Sequence, residues 1–472
     1  MTKEFNNIHL IGIGGINVSA IAKLLLSQKK NVTGFDLVES DITRELSSLG
    51  AQISIEEKTE LSEKVDLIIF SEAVPEDDKQ RAEAKFKNIK QISAFEFWGE
   101  FAKEKKVIAV SGTNGKSSTT AILGLILEEA GLDPTVVVGT KVLGWGSQPK
   151  AGQPLADNIL IGSSEWLVIE ADEYHAHMLE FNPFIAVITN ISADHLDFYK
   201  DIKDIQNHFQ KWVNQINPKG TLVINKDDKI SSELKTNLQI KEFGIDGLKG
   251  IRSSALTVEP RCKNKLGFTK FNIFDEEQNF GKVEFHVPGE FNVANCLAAV
   301  AVASILNIGP KKIIKSLEKF KGTWRRFEFV GKYNEADIIS DYAHHPEAIK
   351  ATLKGAREWY PAGKIIVLFE PHQHNRTKNL FDDFVQAFDE ADEVIISEIH
   401  DVAGREERED QSVSSRHLVE AIASNHSNPD RITYAPDLAS AEQMLQEKIQ
   451  PEDAVIIMGA GNVDRVARNL VK

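Results

Sequence analysis

The chain has 472 residues, of which 42% are hydrophobic and 26% charged, with a formal net charge of -15. At about 150 residues per domain this length makes three domains, and the composition can bury substantial cores. The acidic balance excludes a nucleic-acid or anionic-membrane partner, because only scattered basic pairs such as Lys311-Lys312 oppose it.

The polar stretch Met1 to Asn7 lacks the basic and apolar segments of a leader, and no window approaches the ~18 apolar residues of a membrane span. Two cysteines, Cys262 and Cys296, without metal-ligand spacing fit buried thiols in a reducing compartment. A cytoplasmic enzyme is expected.

In chain order, the apolar run Ile8 to Ile13 meets Gly12, Gly14 and Gly15 and then a helical pattern from Val18 to Leu26. A strand, a glycine turn and a helix open a doubly wound domain. Val32 to Phe35, ending in Asp36, and Val65 to Phe70, preceding Ser71-Glu72-Ala73, read as further parallel strands. The charged segment Glu100 to Lys106 marks a boundary before the next strand, Val107 to Val110. Strands follow at Leu167 to Ile169 and Ile185 to Thr189, then a hairpin-rich polar region around Ser253 to Phe285 and helices at Asn292 to Leu306 and Lys311 to Phe320. Lys321-Gly322-Thr323-Trp324 reads as the exit from the second domain. Asp337 to Ser340, Lys364 to Phe369, Glu393 to Ser397 and Ala454 to Met458 are buried-type strands of a third domain. No internal repeat is present.

The stretch from Val107 to Thr120 carries the most information. Gly112 and Gly115 let backbone N–H groups converge on phosphate oxygens, with Thr113 and Asn114 between them. Lys116 can neutralise β and γ oxygens, Ser117 can ligate Mg2+, and a helix expected from Ser118 adds its positive end. The strict Walker pattern wants glycine where Val110 stands, so a chance Gly-rich turn is the bland alternative.

Leu167 to Glu173 ends in three carboxylates and Val187 to His195 ends in Asp194 and His195, both where open α/β sheets bind ligands. Beside a triphosphate, Glu170 would suit Mg2+, with His195 as a nitrogen ligand, while isolated acids of this kind are more often helix caps. Asn292 and Asn295 lie three apart near a helix start, with Asn292 as N-cap the ordinary reading. Arg325-Arg326, at a domain border, can stabilise charge on a transferring phosphoryl group. Ser340 to Pro346 sits between a strand and a helix, where His344 and His345 face a ligand or serve as core and cap residues.

The Gly-Thr-Asn-Gly-Lys-Ser loop resembles the ATP loop shared by Mur ligases and folylpolyglutamate synthetases. The Glu-Ala-Asp-Glu and Thr-Asn-(three residues)-Asp-His segments, Pro288 to Asn295, Ser340 to Pro346 and Glu370 to Phe384 resemble Mur ligase motifs in the same order, as does His9 to Asn17 at the start. The resemblance implies an α/β fold of three domains. These are a Rossmann-like UDP-sugar-binding domain over 1–105, a central P-loop-type ATPase domain over 106–321 and a C-terminal Rossmann-like ligase domain over 322–472.

It further implies Glu170 and His195 as metal ligands with Asn190 and Asp194 in support, Asn292 and Asn295 at the adenine, and Asp341 at the ATP ribose or phosphates. His344, His345 and Arg376 would position the incoming amino acid, and Gly14, Gly15, Asn17, Ser19, Asp36, Ser71 and Ala73 the UDP sugar. Lys116 and Arg326 would stabilise phosphoryl charge. Glu290 and Phe291 replace Arg and His of the family pattern, and Gln373 replaces an Arg.

Within the family the chain looks most like the branch joining L-alanine to UDP-N-acetylmuramate with ATP and Mg2+, as a monomer or homodimer. Arg376-Thr-Lys-Asn-Leu-Phe leans that way. Glu170 to Tyr174 and Phe369-Glu-Pro lean toward the recycling branch that attaches the tripeptide L-Ala-γ-D-Glu-meso-diaminopimelate. An NAD-dependent oxidoreductase, from the first glycine turn, would leave the second loop unexplained, since Asn17 stands where that fingerprint wants glycine. A non-catalytic nucleotide-binding regulator would not need both the acidic cluster and the paired histidines.

Overall fold

The computed structural model describes residues 4–55, 61–145, 156–196, 198–245, 249–261, 267–401, 412–426 and 428–472. Cys262 lies outside them, and Cys296 is a buried free thiol. Among the described residues no helix is long and apolar enough to cross a membrane.

Three sheets carry the chain. The first has strands β1 (Asn7–Ile11), β2 (Asn31–Phe35), β3 (Gln52–Ser54), β4 (Leu67–Phe70) and β5 (Lys90–Ser93). Their order is β3-β2-β1-β4-β5, all parallel. Alternation sends Ile8, Leu10, Leu67 and Ile69 into one core and Ile11 and Ile68 into another, so both faces are covered.

The second sheet is built from β6 (Lys106–Ser111), β7 (Thr135–Leu143), β8 (Ala156–Leu160), β9 (Trp166–Glu170), β10 (Ile185–Ile188), β11 (Thr221–Asn225) and β12 (Gln239–Gly244). The order β12-β11-β10-β6-β9-β7-β8 puts β6 in the middle, parallel to both neighbours. Only β8 runs antiparallel in this series, against β7. Then come β13 (Ile251–Glu259), whose first residues pair with β12, β14 (Phe268–Asp275) and β15 (Gln278–Phe285).

The third sheet has β16 (Glu328–Tyr333), β17 (Ala336–Asp341), β18 (Ile365–Phe369), β19 (Glu393–Ile396), β20 (Ile432–Tyr434) and β21 (Ala454–Met458). Its order is β16-β17-β21-β18-β19-β20, parallel except for β16. β17, β18 and β21 are buried throughout, which is why they read as continuous apolar runs.

The chain divides into two compact units, one of Met1–Arg252, Phe274–Gln278 and Ala294–Ser316, the other of Ser253–Ile273, Asn279–Val293 and Leu317–Lys472. The first two sheets up to β12 belong to the first unit. There the helix Ile16–Ser27 is fastened to β8, with buried Lys23 reaching Asp157 at 2.6 Å and Glu45 at 2.8 Å.

Candidate functional site

The phosphate loop leaves the end of β6. Gly112 sits at φ 134°, and a Cβ there would lie 2.1 Å from Thr189 Oγ1 and 2.8 Å from the Asn190 carbonyl oxygen. Gly115, at φ 87°, caps the helix Lys116–Glu129, and its Cβ would lie 2.2 Å from Asn295 Oδ1. The helix therefore starts at Lys116, two residues before the expected Ser118, because a glycine makes the left-handed turn into it. That start leaves first-turn N–H groups without helical acceptors beside the loop.

Asn190 clasps the loop from the end of β10. Its Oδ1 accepts from Asn114 N at 3.0 Å, its Nδ2 donates to the Asn114 carbonyl at 2.9 Å, and its own carbonyl accepts from Thr113 N at 2.9 Å. Asn295 Oδ1 meets Thr119 Oγ1 at 3.4 Å, so Asn295 packs on the loop as well. Gly115→Ala is expected to weaken ATP binding by more than about 10-fold, since it combines left-handed strain with a clash on Asn295. Calorimetric titration of ATP checks it, and near wild-type affinity would show that the loop opens without cost.

Below the loop stand the acids. Ser117 Oγ donates to Glu170 Oε1 at 3.1 Å, while Glu170 Oε2 accepts from Gly139 N at 2.7 Å. Lys116 Nζ meets Glu173 Oε2 at 2.6 Å, and His195 Nε2 stands 3.7 Å from Glu173 Oε1. His195 thus faces Glu173, with Asp194 Oδ2 4.0 Å from the same nitrogen. Burial pushes the Glu173 carboxyl up, against the pull of the Lys116 ammonium. Burial also works to lower Lys116, but the carboxylates of Glu173, Asp172 and Glu170 outweigh it and hold the ammonium above its ordinary range.

The amino-terminal residues gather at the carboxyl ends of β1, β2 and β4. Asp36 Oδ2 accepts from Gly14 N at 2.8 Å, and Ser71 Cβ would lie 2.9 Å from a Cβ on Gly12. Gly15 caps the first helix, and Ala73 N donates to Ser71 Oγ at 3.4 Å. Two of these residues also make contacts within the fold. Ser19 is buried, its Oγ donating to the Ile16 carbonyl at 2.9 Å and accepting from Asn158 Nδ2 at 3.2 Å, so its side chain faces packing. Asn17 Oδ1 accepts from Trp98 Nε1 at 2.6 Å, so it ties this helix to the helix Ala94–Ala102.

In the second unit the polar groups cluster after β17 and β18. Asp341 is buried, with Oδ2 accepting from Phe327 N at 2.7 Å and Oδ1 from Ala343 N at 2.7 Å. Burial pushes its carboxyl up against the pull of Arg326, and both oxygens brace the chain. The N-cap reading of Asn292 is corrected. The helix begins at Glu290, so Asn292 is no N-cap, and it is buried with Nδ2 donating to the Pro288 carbonyl at 2.7 Å.

His344 and Arg376 stand close enough for the guanidinium to depress the imidazole. His344 Nδ1 lies 2.9 Å from the Tyr342 carbonyl, which can only accept, so Nε2 carries the lone pair. Burial first, and Arg376 second, push this imidazole down to about 3, and it stays neutral. Arg376 Nη1 donates to His372 Nδ1 at 3.3 Å, leaving His372 Nε2–H as a donor. Burial and then Arg376 push His372 down to about 4. His345 caps the helix Pro346–Trp359, accepting from Glu347 N at 3.4 Å, which is the cap reading offered by the sequence. Of the arginine pair, Arg325 is buried and donates to the Gly459 carbonyl, while Arg326 is exposed beside the Tyr342 ring at 4.8 Å. Glu173, His372 and the His374–Asp401 pair at 2.7 Å were not singled out beforehand. Only the quoted motifs that contain Glu173, His372 and His374 drew attention to their neighbourhood.

Three family models match the chain in order: the Mur ligase family catalytic domain over 7–106, the Mur ligase middle domain over 110–303 and the Mur ligase glutamate ligase domain over 325–461. The chain belongs to the Mur ligase family. Among the relatives of this Mur ligase is the UDP-N-acetylmuramate--L-alanine ligase of Clostridium acetobutylicum, 38% identical over 97% of this chain and 96% of that one. The enzyme of the same name from Alkaliphilus metalliredigens is 36% identical over 99% and 97%. A crystal structure of a UDP-N-acetylmuramate-alanine ligase from Thermotoga maritima superposes with a TM-score of 0.81 at 25% identity, covering 98% of each chain.

Proposed function

We propose that this Mur ligase joins L-alanine to UDP-N-acetylmuramate, converting ATP to ADP and phosphate, in the cytoplasm. The observation that carries the reading is the loop after β6, where Lys116 and the Ser117–Glu170 pair lie against the helix start that follows Gly115. A substrate carboxylate attacks the γ-phosphorus, the bond to ADP breaks, and the acyl phosphate formed is attacked at its carbonyl carbon by the amine, releasing phosphate. Lys116 and exposed Arg326 stabilise the phosphoryl charge.

Mg2+ fits the residues present. It binds through one or two carboxylates and substrate phosphates, and Ser117 beside Glu170 supplies that donor set, with His195 in reserve near Glu173. Bound there it would neutralise phosphate charge. No group of three or more His, Cys, Asp or Glu suited to an all-protein metal site occurs among the described residues. Arg376, with His372 and neutral His344, offers donors for an amino-acid carboxylate and an acceptor for its amine.

Relatives matched over nearly the whole length support L-alanine as the donor, whereas likeness to a UDP-N-acetylmuramate:L-alanyl-γ-D-glutamyl-meso-diaminopimelate ligase is one of fold, at 22% identity. The reading is tested by mass analysis of the product from ATP, UDP-N-acetylmuramate and L-alanine. The nucleotide sugar extended by one alanyl residue, with one ADP per product, is expected. ADP without that product would contradict it.

A further inference from the structure

Lys116 has its ammonium fully engaged by the protein. Nζ donates to Glu173 Oε2 at 2.6 Å, to the Gly112 carbonyl at 2.8 Å and to the Thr113 carbonyl at 3.4 Å. An ammonium has three donors, so meeting a phosphate oxygen means exchanging one of these partners.

The carboxylate in this set is not part of the loop. Glu173 lies just beyond β9, its side chain only 3% exposed, and its backbone carbonyl accepts from the buried Tyr199 hydroxyl. The chain just after it is held in left-handed backbone at His175 (φ 51°) and Ala176 (φ 56°), as is His195 (φ 54°) across from it. Such conformations persist where surrounding structure enforces them. Glu173 Oε1 is buried and makes no hydrogen bond among the described residues. A carboxylate this fixed does not follow Lys116 when the lysine moves.

We propose that Glu173 is a positioning residue that acts through Lys116, holding the ammonium down in the phosphate loop and competing with the incoming phosphates for it. The competition weakens ATP binding in the ground state. In return the lysine stays charged and aimed, which matters when phosphoryl charge develops. The inference rests on ATP being the phosphate donor.

The test is a double-mutant cycle on the full chain, with ATP affinity measured by calorimetry in magnesium for wild type, Glu173→Gln, Lys116→Met and the double variant. Glu173→Gln is expected to tighten ATP about 3- to 10-fold and to lower kcat at saturating ATP by about 10-fold or more, a split that a merely structural role would not give. In the Lys116→Met background the same change is expected to leave ATP affinity unaltered. Tightening of equal size in both backgrounds would show direct repulsion of ATP by Glu173 and overturn the proposal, as would weaker binding in Glu173→Gln.

If Glu173→Gln does not fold, Glu173→Asp replaces it. Drawing the carboxylate back by one methylene is expected to tighten ATP to a lesser degree, and unchanged or weaker binding overturns the proposal. A wild-type chain that binds no ATP would defeat the proposed function itself. Equal ATP affinity across folded variants would defeat only the role of Glu173.

Discussion

Replacing Lys116 with methionine is expected to lower kcat by at least about 10³-fold while leaving the fold intact. Methionine keeps the unbranched stem that runs along the loop and removes only the ammonium. The change leaves Glu173 buried without its cation, and losing one member of a buried pair costs about 3–5 kcal/mol when the other stays charged. Glu173 has an escape, because burial works against its charge and the Lys116 ammonium is what opposes that, so without Lys116 it takes a proton. The expected loss of stability is therefore smaller than that range. Single-turnover phosphate release measures the effect, and a thermal midpoint checks the fold. A folded Lys116→Met chain with kcat within about 10-fold of wild type would remove the lysine from phosphoryl transfer.

Arg376→Ala is expected to raise the KM for L-alanine by about 10- to 100-fold, with a smaller change in the KM for ATP. A charged hydrogen bond to a carboxylate is worth about 1.5–3 kcal/mol, which sets that scale. Arg376→Lys should recover little of it. The guanidinium spans His372 Nδ1 and the neighbourhood of His344 as a planar fork, and an ammonium cannot present the same donors. Initial rates across alanine concentrations decide the point, and an unchanged KM for alanine would move the carboxylate site elsewhere.

Much of the architecture was legible because the strands that matter most are buried on both faces. β1, β6, β9, β17, β18 and β21 are rich in Ile, Val, Leu and Ala and end in or run into a glycine or an acid, so they announce both the sheet and its ligand edge. Three-residue β3 and polar β5, Lys90–Ser93, carry almost no apolar signal and were not picked out. The antiparallel strand β16 gives no clear signal for a related reason, since only Glu328 in it is buried and a register shift between Phe329 and Gly331 breaks its period.

The site was legible where backbone chemistry dictates side chain. Gly112 and Gly115 are required by φ and by neighbours closer than a Cβ allows, and a reader of the sequence can see that requirement coming. Ser19, Asn292 and Asp341 have partners that the sequence does not show. Each is a polar residue beside a real motif, and each is turned inward by a partner distant in sequence or around a bend: Asn158, the Pro288 carbonyl, and the N–H groups of Phe327 and Ala343. Spacing along the chain says nothing of such partners. Glu173 went unassigned on the same account, because its hold on Lys116 exists only once β6 and β9 lie side by side.

The most direct test is phosphate release from ATP with UDP-N-acetylmuramate present, comparing L-alanine, glycine, L-serine and the tripeptide L-Ala-γ-D-Glu-meso-diaminopimelate, with Lys116→Met as control. Release with L-alanine well above that with the other donors, and lost in the control, is the predicted result. Release with the tripeptide alone, or none from folded protein that still binds ATP, would contradict it.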